Sequence, residues 1–541
     1  MRFLSIVFLI AVLATVSACG IEFSEGPDHA DPAHGDDPIP WFEGGFEDAL
    51  ELARQENKPL FLYWGAEWCP PCHHLKTTVF RTPGFVAKSR EFIPVYLDGD
   101  DERAQILGEE LGVVGYPTVL IFSPAGDEIM RMPTNIDAAQ YVALLDSALT
   151  RMRPIAEVLA AVLQTGAADA APEDLELLAF YSWGQDTEAD LGDDEGYGTF
   201  AALWEGTPEE LAIEKARFLS LTMEAASARA RGEGEDAPGP ALSAEERQRY
   251  HEAVMDLLEN HEWVSANLDF VLYGCPEAIP LLHPQTNPDR EALTARWDEA
   301  AKRVEQDASM SVDDRLTAAV TRVWLVTLDV PEGEEPELPA ELVEHVRERV
   351  AWAAETVSDD SELQTVMSTM SWLLDQVGLT EEAEVLLTER MDDAHAPYYF
   401  MSVVAGMKKD ADRPEEAVAW YRKAYDSARG RYSRFRWGSI YLRQVMALTP
   451  EDTETIESDS VEILGELLTL EDAFAGGNYS RLGQLDSAYR SWNENGEHDA
   501  LVGRIRDVVR ARCDYYPEAG EDSQKSRCES FLAEAEPGRE A

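Results

Sequence analysis

Positive charge is what this chain has least of. Its 541 residues include 104 Asp and Glu against 45 Lys and Arg, a formal net charge of −59, and only nine of the 45 are lysine. Binding to nucleic acid or to anionic headgroups needs a basic footprint, so both partner classes are disfavoured. The acidic excess reads as solvated faces on many helices, or as adaptation to a salty medium that screens the self-repulsion. Cysteine is scarce as well: six residues, too few for a disulfide-built scaffold. Beyond residue 153 the alternating pattern of strands is missing, and no nucleophile elbow, phosphate loop or metalloprotease helix is found there.

What is present starts with size. A chain this long exceeds one core, and its 45% hydrophobic content excludes wholesale disorder, so two to four domains are expected. Arg2 precedes an apolar run over 3–16, which reads as a secretory signal too short to span a bilayer comfortably. Val16-Ser17-Ala18-Cys19 resembles the bacterial lipobox. That resemblance implies a signal peptide over 1–18 and an acylated Cys19 holding the chain on the periplasmic side of a membrane. Gly20 replaces the Asp that tends to retain such lipoproteins in the inner membrane, which favours an outer one. Residues 19–40, rich in Asp, Pro, Gly and Glu, read as a flexible acidic tether.

The first folded domain is expected over 41–152. Periodicity predicts a helix at 46–55, a fully covered strand at 60–64 and a helix after Cys72. Strands follow at 92–97, 118–122 and 128–132, with helices at 101–111 and 136–152. This is an α/β pattern, and two motifs stand out in it: Trp68-Cys69-Pro70-Pro71-Cys72 and Gly115-Tyr116-Pro117-Thr118.

On those motifs, residues 41–152 resemble the thioredoxin fold, closest to periplasmic thiol–disulfide reductase domains. The resemblance implies a redox-active Cys69–Cys72 disulfide, with Cys69 as nucleophile and Cys72 as resolver. It also implies a cis Pro117 opposite the pair, and Trp68, Tyr116 and Pro117 along the substrate side. The implied partners are protein dithiols or disulfides and an upstream thiol reductant or oxidant; no cofactor and no metal is expected.

The chemistry asks for one accessible, acidified thiol and a second near enough to resolve a mixed disulfide. Cys69, just ahead of a helix, has the position for the first role. Pro71 suits the first helical turn. Pro70 also lacks an amide, which leaves Cys69 one donor fewer and points to a comparatively reducing couple. Two positions depart from the family pattern. Tyr63 stands where many thioredoxins carry a buried carboxylate, and Pro94 stands near the place of its lysine partner. The group that accepts the Cys72 proton is therefore open, between Glu67 and water.

The run Cys69-Pro70-Pro71-Cys72-His73 also satisfies the C-x-x-C-H pattern of haem attachment. The preceding apolar strand and the later Gly-Tyr-Pro-Thr argue against haem. Zinc or copper on Cys69, Cys72, His73 and His74 is disfavoured because four ligands crowded into six residues close a tetrahedral site poorly.

The remainder is expected to be helical, with a helical domain over 153–340 and a tetratricopeptide-like one over 341–541. Helices are predicted at 155–163, 208–226, 244–259 and 290–304, and loops at 231–240 and 330–339. Glu381-Glu382-Ala383 recurs 34 residues on as Glu415-Glu416-Ala417, the tetratricopeptide period, so 361–430 resembles two such units. Cys513 and Cys528 are expected to form a structural disulfide, and Cys275 to be a buried thiol. Two readings result: an exported, membrane-anchored thiol–disulfide oxidoreductase whose helices dock a partner, or a scaffold lipoprotein whose thioredoxin domain is a binding module.

Overall fold

The computed structural model describes residues 38–101, 103–186, 193–232, 241–331, 334, 336–518 and 523–533. The expected signal peptide, Cys19 and nearly all of the expected tether lie outside them, as does most of the loop expected at 231–240. From Ile39 to Ala541 the chain forms one compact unit.

Strand β1 (Leu60–Gly65) is buried along its whole length because both of its faces are covered. Alternation sorts its side chains. Leu60 and Leu62 meet Val95, Leu120 and Phe122 beneath helix α1 (Phe46–Glu56), which contributes Phe46, Ala49 and Ala53. Phe61 and Tyr63 turn the other way, into a cluster with Val79, Phe80, Phe85 and Tyr141. Each such side chain, fully buried, contributes roughly 1.5–3 kcal/mol.

The sheet order is β2-β1-β3-β4, with β2 (Ile93–Asp98) parallel to β1 and β3 (Thr118–Phe122) antiparallel to it. β4 (Glu128–Arg131) closes a hairpin with β3 that carries an irregularity at Ile121/Phe122. Helix α2 (Pro70–Leu75) leads into a π-helical turn at Lys76–Phe80. There the hydroxyls of Thr77 and Thr78 donate back to the carbonyls of His73 and His74. α3 (Pro83–Lys88), α4 (Ala104–Glu110) and α5 (Ala138–Arg151) complete the domain.

Helix α4 starts three residues later than its periodicity suggests, because Arg103 adopts a left-handed conformation at φ +63°. The domain's closing helix, α5, starts at Ala138 because Asp137 caps the amides of Ala139 and Gln140.

No strand follows β4 among the described residues; helices run from Ile155–Thr165 to Gln524–Ser530. The helix expected over 208–226 lies at Ala212–Arg231, and an unforeseen one precedes it at Asp193–Gly206. The apolar cluster that receives Phe61 and Tyr63 continues without interruption into these helices, as far as Leu532.

Polar contacts fasten the two parts together around α4. The amides of Gly476 and Gly477, opening helix Gly476–Trp492, donate to Glu109 (2.8 Å) and to the Gln105 side chain (2.9 Å). Glu109 also receives Arg527 at 2.7 and 2.9 Å. Glycine is required here. A Cβ on Gly476 would stand 2.7 Å from the Gln105 carbonyl oxygen, and one on Gly477 2.4 Å from the Tyr432 hydroxyl.

Candidate active site

The turn after β1 delivers Trp68 and Cys69 to the start of α2. Cys69 is the N-cap, in extended conformation, with Pro70 and Pro71 in the first turn, where missing amides leave no donor stranded. The amide of Cys72 donates to Cys69 Sγ at 3.2 Å. Cys69 and Cys72 are joined as a disulfide, with Cα atoms 5.2 Å apart.

The Tyr116–Pro117 peptide bond is cis. The Tyr116 ring packs edge-on against Trp68, centroids 5.3 Å apart, which sets the proline loop beside the cysteine turn. The cysteine turn after β1 and the Tyr116–Pro117 loop before β3 thus meet at one end of the sheet, where Trp64 pairs with Thr118.

Tyr63 is fully buried, and its hydroxyl donates to the Cys72 carbonyl at 3.2 Å. A phenol therefore occupies the space behind Cys72, and burial keeps it neutral. Lys76 reaches the rings of Tyr96 (4.7 Å) and Tyr63 (5.9 Å). Tyr96 donates to Asp98 at 3.0 Å. Burial first, with the neighbouring charge of Asp101 adding to it, pushes the Asp98 carboxyl up to about 6.

His73 and His74 diverge. His73 Nε2 donates to the Glu67 carbonyl (2.6 Å), and burial followed by the charge of Lys76 lowers its pKa to about 3, so it is neutral. His74 turns toward Asp313 at 3.9 Å. The Glu67 carboxylate stands 4.0 Å from His395. No cluster of three or more metal-ligating side chains is found among the described residues.

The helical region covers this site. Gln364, on helix Asp360–Gln376, donates from Nε2 to the Trp68 carbonyl (3.1 Å) and accepts the Ala396 amide on Oε1 (2.9 Å). Its neighbour Thr365 donates to the Pro70 carbonyl at 2.8 Å. From helix Arg431–Leu448, Arg436 lies 4.0 Å over the Trp68 ring, and Trp437 meets the same ring edge-on at 6.3 Å. Ser433 donates to Asp100 at 2.5 Å. Behind the proline loop, Gln185 donates to the Pro117 carbonyl at 2.9 Å. Cys69 is left 1% exposed and Trp68 5%.

None of Gln364, Thr365, Arg436 or Gln185 stood out in the sequence. Only the Arg431, Arg434, Arg436 series, basic in an acidic chain, offered a signal.

A family model for the thioredoxin-like domain matches residues 46–149. Residues 46–149 are a thioredoxin-like domain. Its sheet, its Cys69–Cys72 pair and its cis-proline loop stand together as described above. The chain is 33% identical over 107 residues to the thiol:disulfide interchange protein DsbD 1 of Pseudomonas aeruginosa, covering 19% of this chain and 18% of that protein. It thus spans about a fifth of the length of that relative. A solved structure titled DsbH oxidoreductase matches at 21% identity over 23% of this chain and 94% of its own, with a TM-score of 0.19.

Elsewhere, Cys513 and Cys528 are joined as a disulfide, Cα atoms 5.5 Å apart. Cys275 is a buried free thiol whose pKa burial pushes up. No helix among the described residues is long and apolar enough to cross a membrane.

Proposed function

We propose that this chain is an exported, lipid-anchored thiol–disulfide oxidoreductase acting on the periplasmic side of a bacterial membrane. The observation that carries the reading is the Cys69–Cys72 pair at the mouth of α2, beside the cis Pro117 of a thioredoxin-like sheet. The thiol:disulfide interchange activity named for the Pseudomonas relative agrees with it.

In the reducing direction, the Cys69 thiolate attacks one sulfur of a substrate disulfide and expels the other as a thiolate. Cys72 then attacks Cys69 in the mixed disulfide, releasing the second substrate thiol and leaving Cys69 and Cys72 oxidised. An upstream dithiol restores the pair. Because neither Pro70 nor Pro71 has an N–H, the Cys72 amide is the first of the helix able to support the Cys69 anion.

Trp68, Tyr116 and Pro117 form the substrate side, which opens only when the cover formed by Gln364 and Thr365 shifts. The partner docks on the helical region away from the Gln364–Thr365 face, which is occupied within the chain. Replacing Cys69 by Ala in the full chain abolishes dithiothreitol-driven reduction of a test disulfide under this reading. Retention of turnover would contradict it.

The covered dithiol favours one alternative: a scaffold lipoprotein in which the thioredoxin-like domain is a docking module for the chain's own helices. In that case the Cys69→Ala protein keeps its partners and its cellular role.

A further inference from the structure

Arginine is well supplied with carboxylates in most of this acidic chain; Arg347, for example, grips Glu382, and Arg504 grips Glu457. Three arginines on two neighbouring helices of the helical region differ, and the first of them reaches the residue before Cys69. Arg436 and Arg443 lie two turns apart on helix Arg431–Leu448, and Arg481 projects from helix Gly476–Trp492, which packs against it. None of the three forms an ion pair among the described residues, and the buried Nε of each has no acceptor. The indole N–H groups of Trp68 and Trp437 are buried and without an acceptor in the same way.

Aromatic contacts tie Arg436 to the active site. Arg436 stacks 4.0 Å over Trp68, the residue before Cys69, and 5.6 Å over Trp437. Arg481 reaches the Tyr432 ring at 5.7 Å. Burial first, and then the like charge of Arg481, lower the proton affinity of both Arg436 and Arg443. Arg436 and Arg443 thus each feel the like charge of Arg481, with tyrosines (Tyr432 and Tyr116 for Arg436, Tyr421 for Arg443) and no carboxylate among the groups that offset it. Such a grouping is costly when unpaired and is relieved by an oxygen-rich anion. The planar fork of the guanidinium matches a carboxylate in particular.

We propose that Arg436, Arg443 and Arg481 form a carboxylate-binding subsite beside Trp68, and that the disulfides exchanged at Cys69 carry acidic groups close to the reacting sulfurs. The inference rests on the reading of Cys69 and Cys72 as an exchange pair and adds a substrate class to it. The step is that given above: two electrons pass from the Cys69–Cys72 dithiol to the substrate disulfide, and two acidic thiols leave.

The test uses full-length protein reduced beforehand and freed of reductant, with single-turnover rates for three small disulfides: the dianionic 3,3′-dithiodipropionate, neutral 2-hydroxyethyl disulfide and dicationic cystamine. The net charge of −59 alone would rank the cation first and the dianion last. The subsite reverses that order, by about tenfold or more for dianion over neutral, and the preference shrinks as salt rises.

Arg436→Gln, Arg443→Gln and Arg481→Gln each reduce the ratio of dianion to neutral rate by about three- to tenfold. Reading a ratio cancels any general loss of activity, and circular dichroism checks the fold of each variant. Acidic and basic cystine peptides, run in parallel, separate a small acidic substrate from an acidic protein segment. If the neutral disulfide is reduced but the dianion shows no advantage with either probe type, the subsite is overturned. If no disulfide is reduced at all, the exchange reading itself fails, and this inference with it.

Discussion

Gln364 donates to the backbone carbonyl of Trp68 at 3.1 Å, a contact between residues 296 positions apart. It places the helix Asp360–Gln376 directly over the residue that precedes Cys69, and Thr365 repeats the contact on the other side of the cysteine, at Pro70. The helical region is therefore part of the dithiol's immediate surroundings, and its Gln364–Thr365 face is taken up within the chain.

Loosening that cover should expose the thiols. Each neutral hydrogen bond is worth about 0.5–1.5 kcal/mol, so Gln364→Ala with Thr365→Ala should raise the iodoacetamide alkylation rate of reduced Cys69 roughly tenfold. An unchanged rate would mean that these two side chains do not hold the cover in place.

Asp98 gives a pH-dependent expectation. Its folded carboxyl titrates at about 6, above its ordinary value, so between pH 6 and 4 the folded state binds more protons than the unfolded state. Its contribution therefore improves as pH falls through that window, and ionised Asp98 is a burden at neutral pH. Asp98→Asn should stabilise the protein by roughly 1–3 kcal/mol at pH 7.5, with the gain fading by pH 4. Urea denaturation of both proteins at the two pH values checks this: groups remote from Asp98 cancel in the difference, while neighbouring Asp100, whose carboxyl the Asp98 charge helps push up, shifts in the same sense as the gain.

Gly476 tests how the helices are seated on the thioredoxin-like domain. Alanine there meets both a positive φ of +47° and the Gln105 carbonyl oxygen at 2.7 Å. A loss of about 1–3 kcal/mol is expected, with faster hydrogen exchange in α4. Exchange that is unaltered in α4 would show that the close approach is dispensable.

The Cys513–Cys528 bond closes a loop of sequence separation 15 near the end of the described chain. Replacing both by Ser should lower stability by about 3 kcal/mol in denaturant. Turnover of the test disulfide should be retained, since neither cysteine lies among the groups around Cys69.

How far the sequence carried this picture depends on the range of the forces involved. Strand β3 is read to the residue, and β1 to within one, because a sheet covered on both faces demands an unbroken apolar run such as Leu60–Gly65. The Cys69–Cys72 pair is legible from its own spacing, whereas the cis Pro117 was expected only through the resemblance to the thioredoxin fold. The late start of α4 follows from the backbone of Arg103, which periodicity does not report. The cover was hidden: Gln364 and Thr365 sit in an ordinary amphipathic helix, and only tertiary packing turns them toward Trp68. The phenol of Tyr63 behind Cys72 was visible as a substitution, but its hydrogen bond to the Cys72 carbonyl was not.

The most direct measurement is capture of the intermediate. The full-length Cys72→Ser protein, reduced and mixed with an excess of a test disulfide, is alkylated and mapped by peptide mass spectrometry. A stable mixed disulfide on Cys69, absent when Cys69 is also replaced, is the expected result. No adduct on Cys69, with the substrate disulfide intact, would contradict the assignment of Cys69 as the attacking thiol and the oxidoreductase reading built on it.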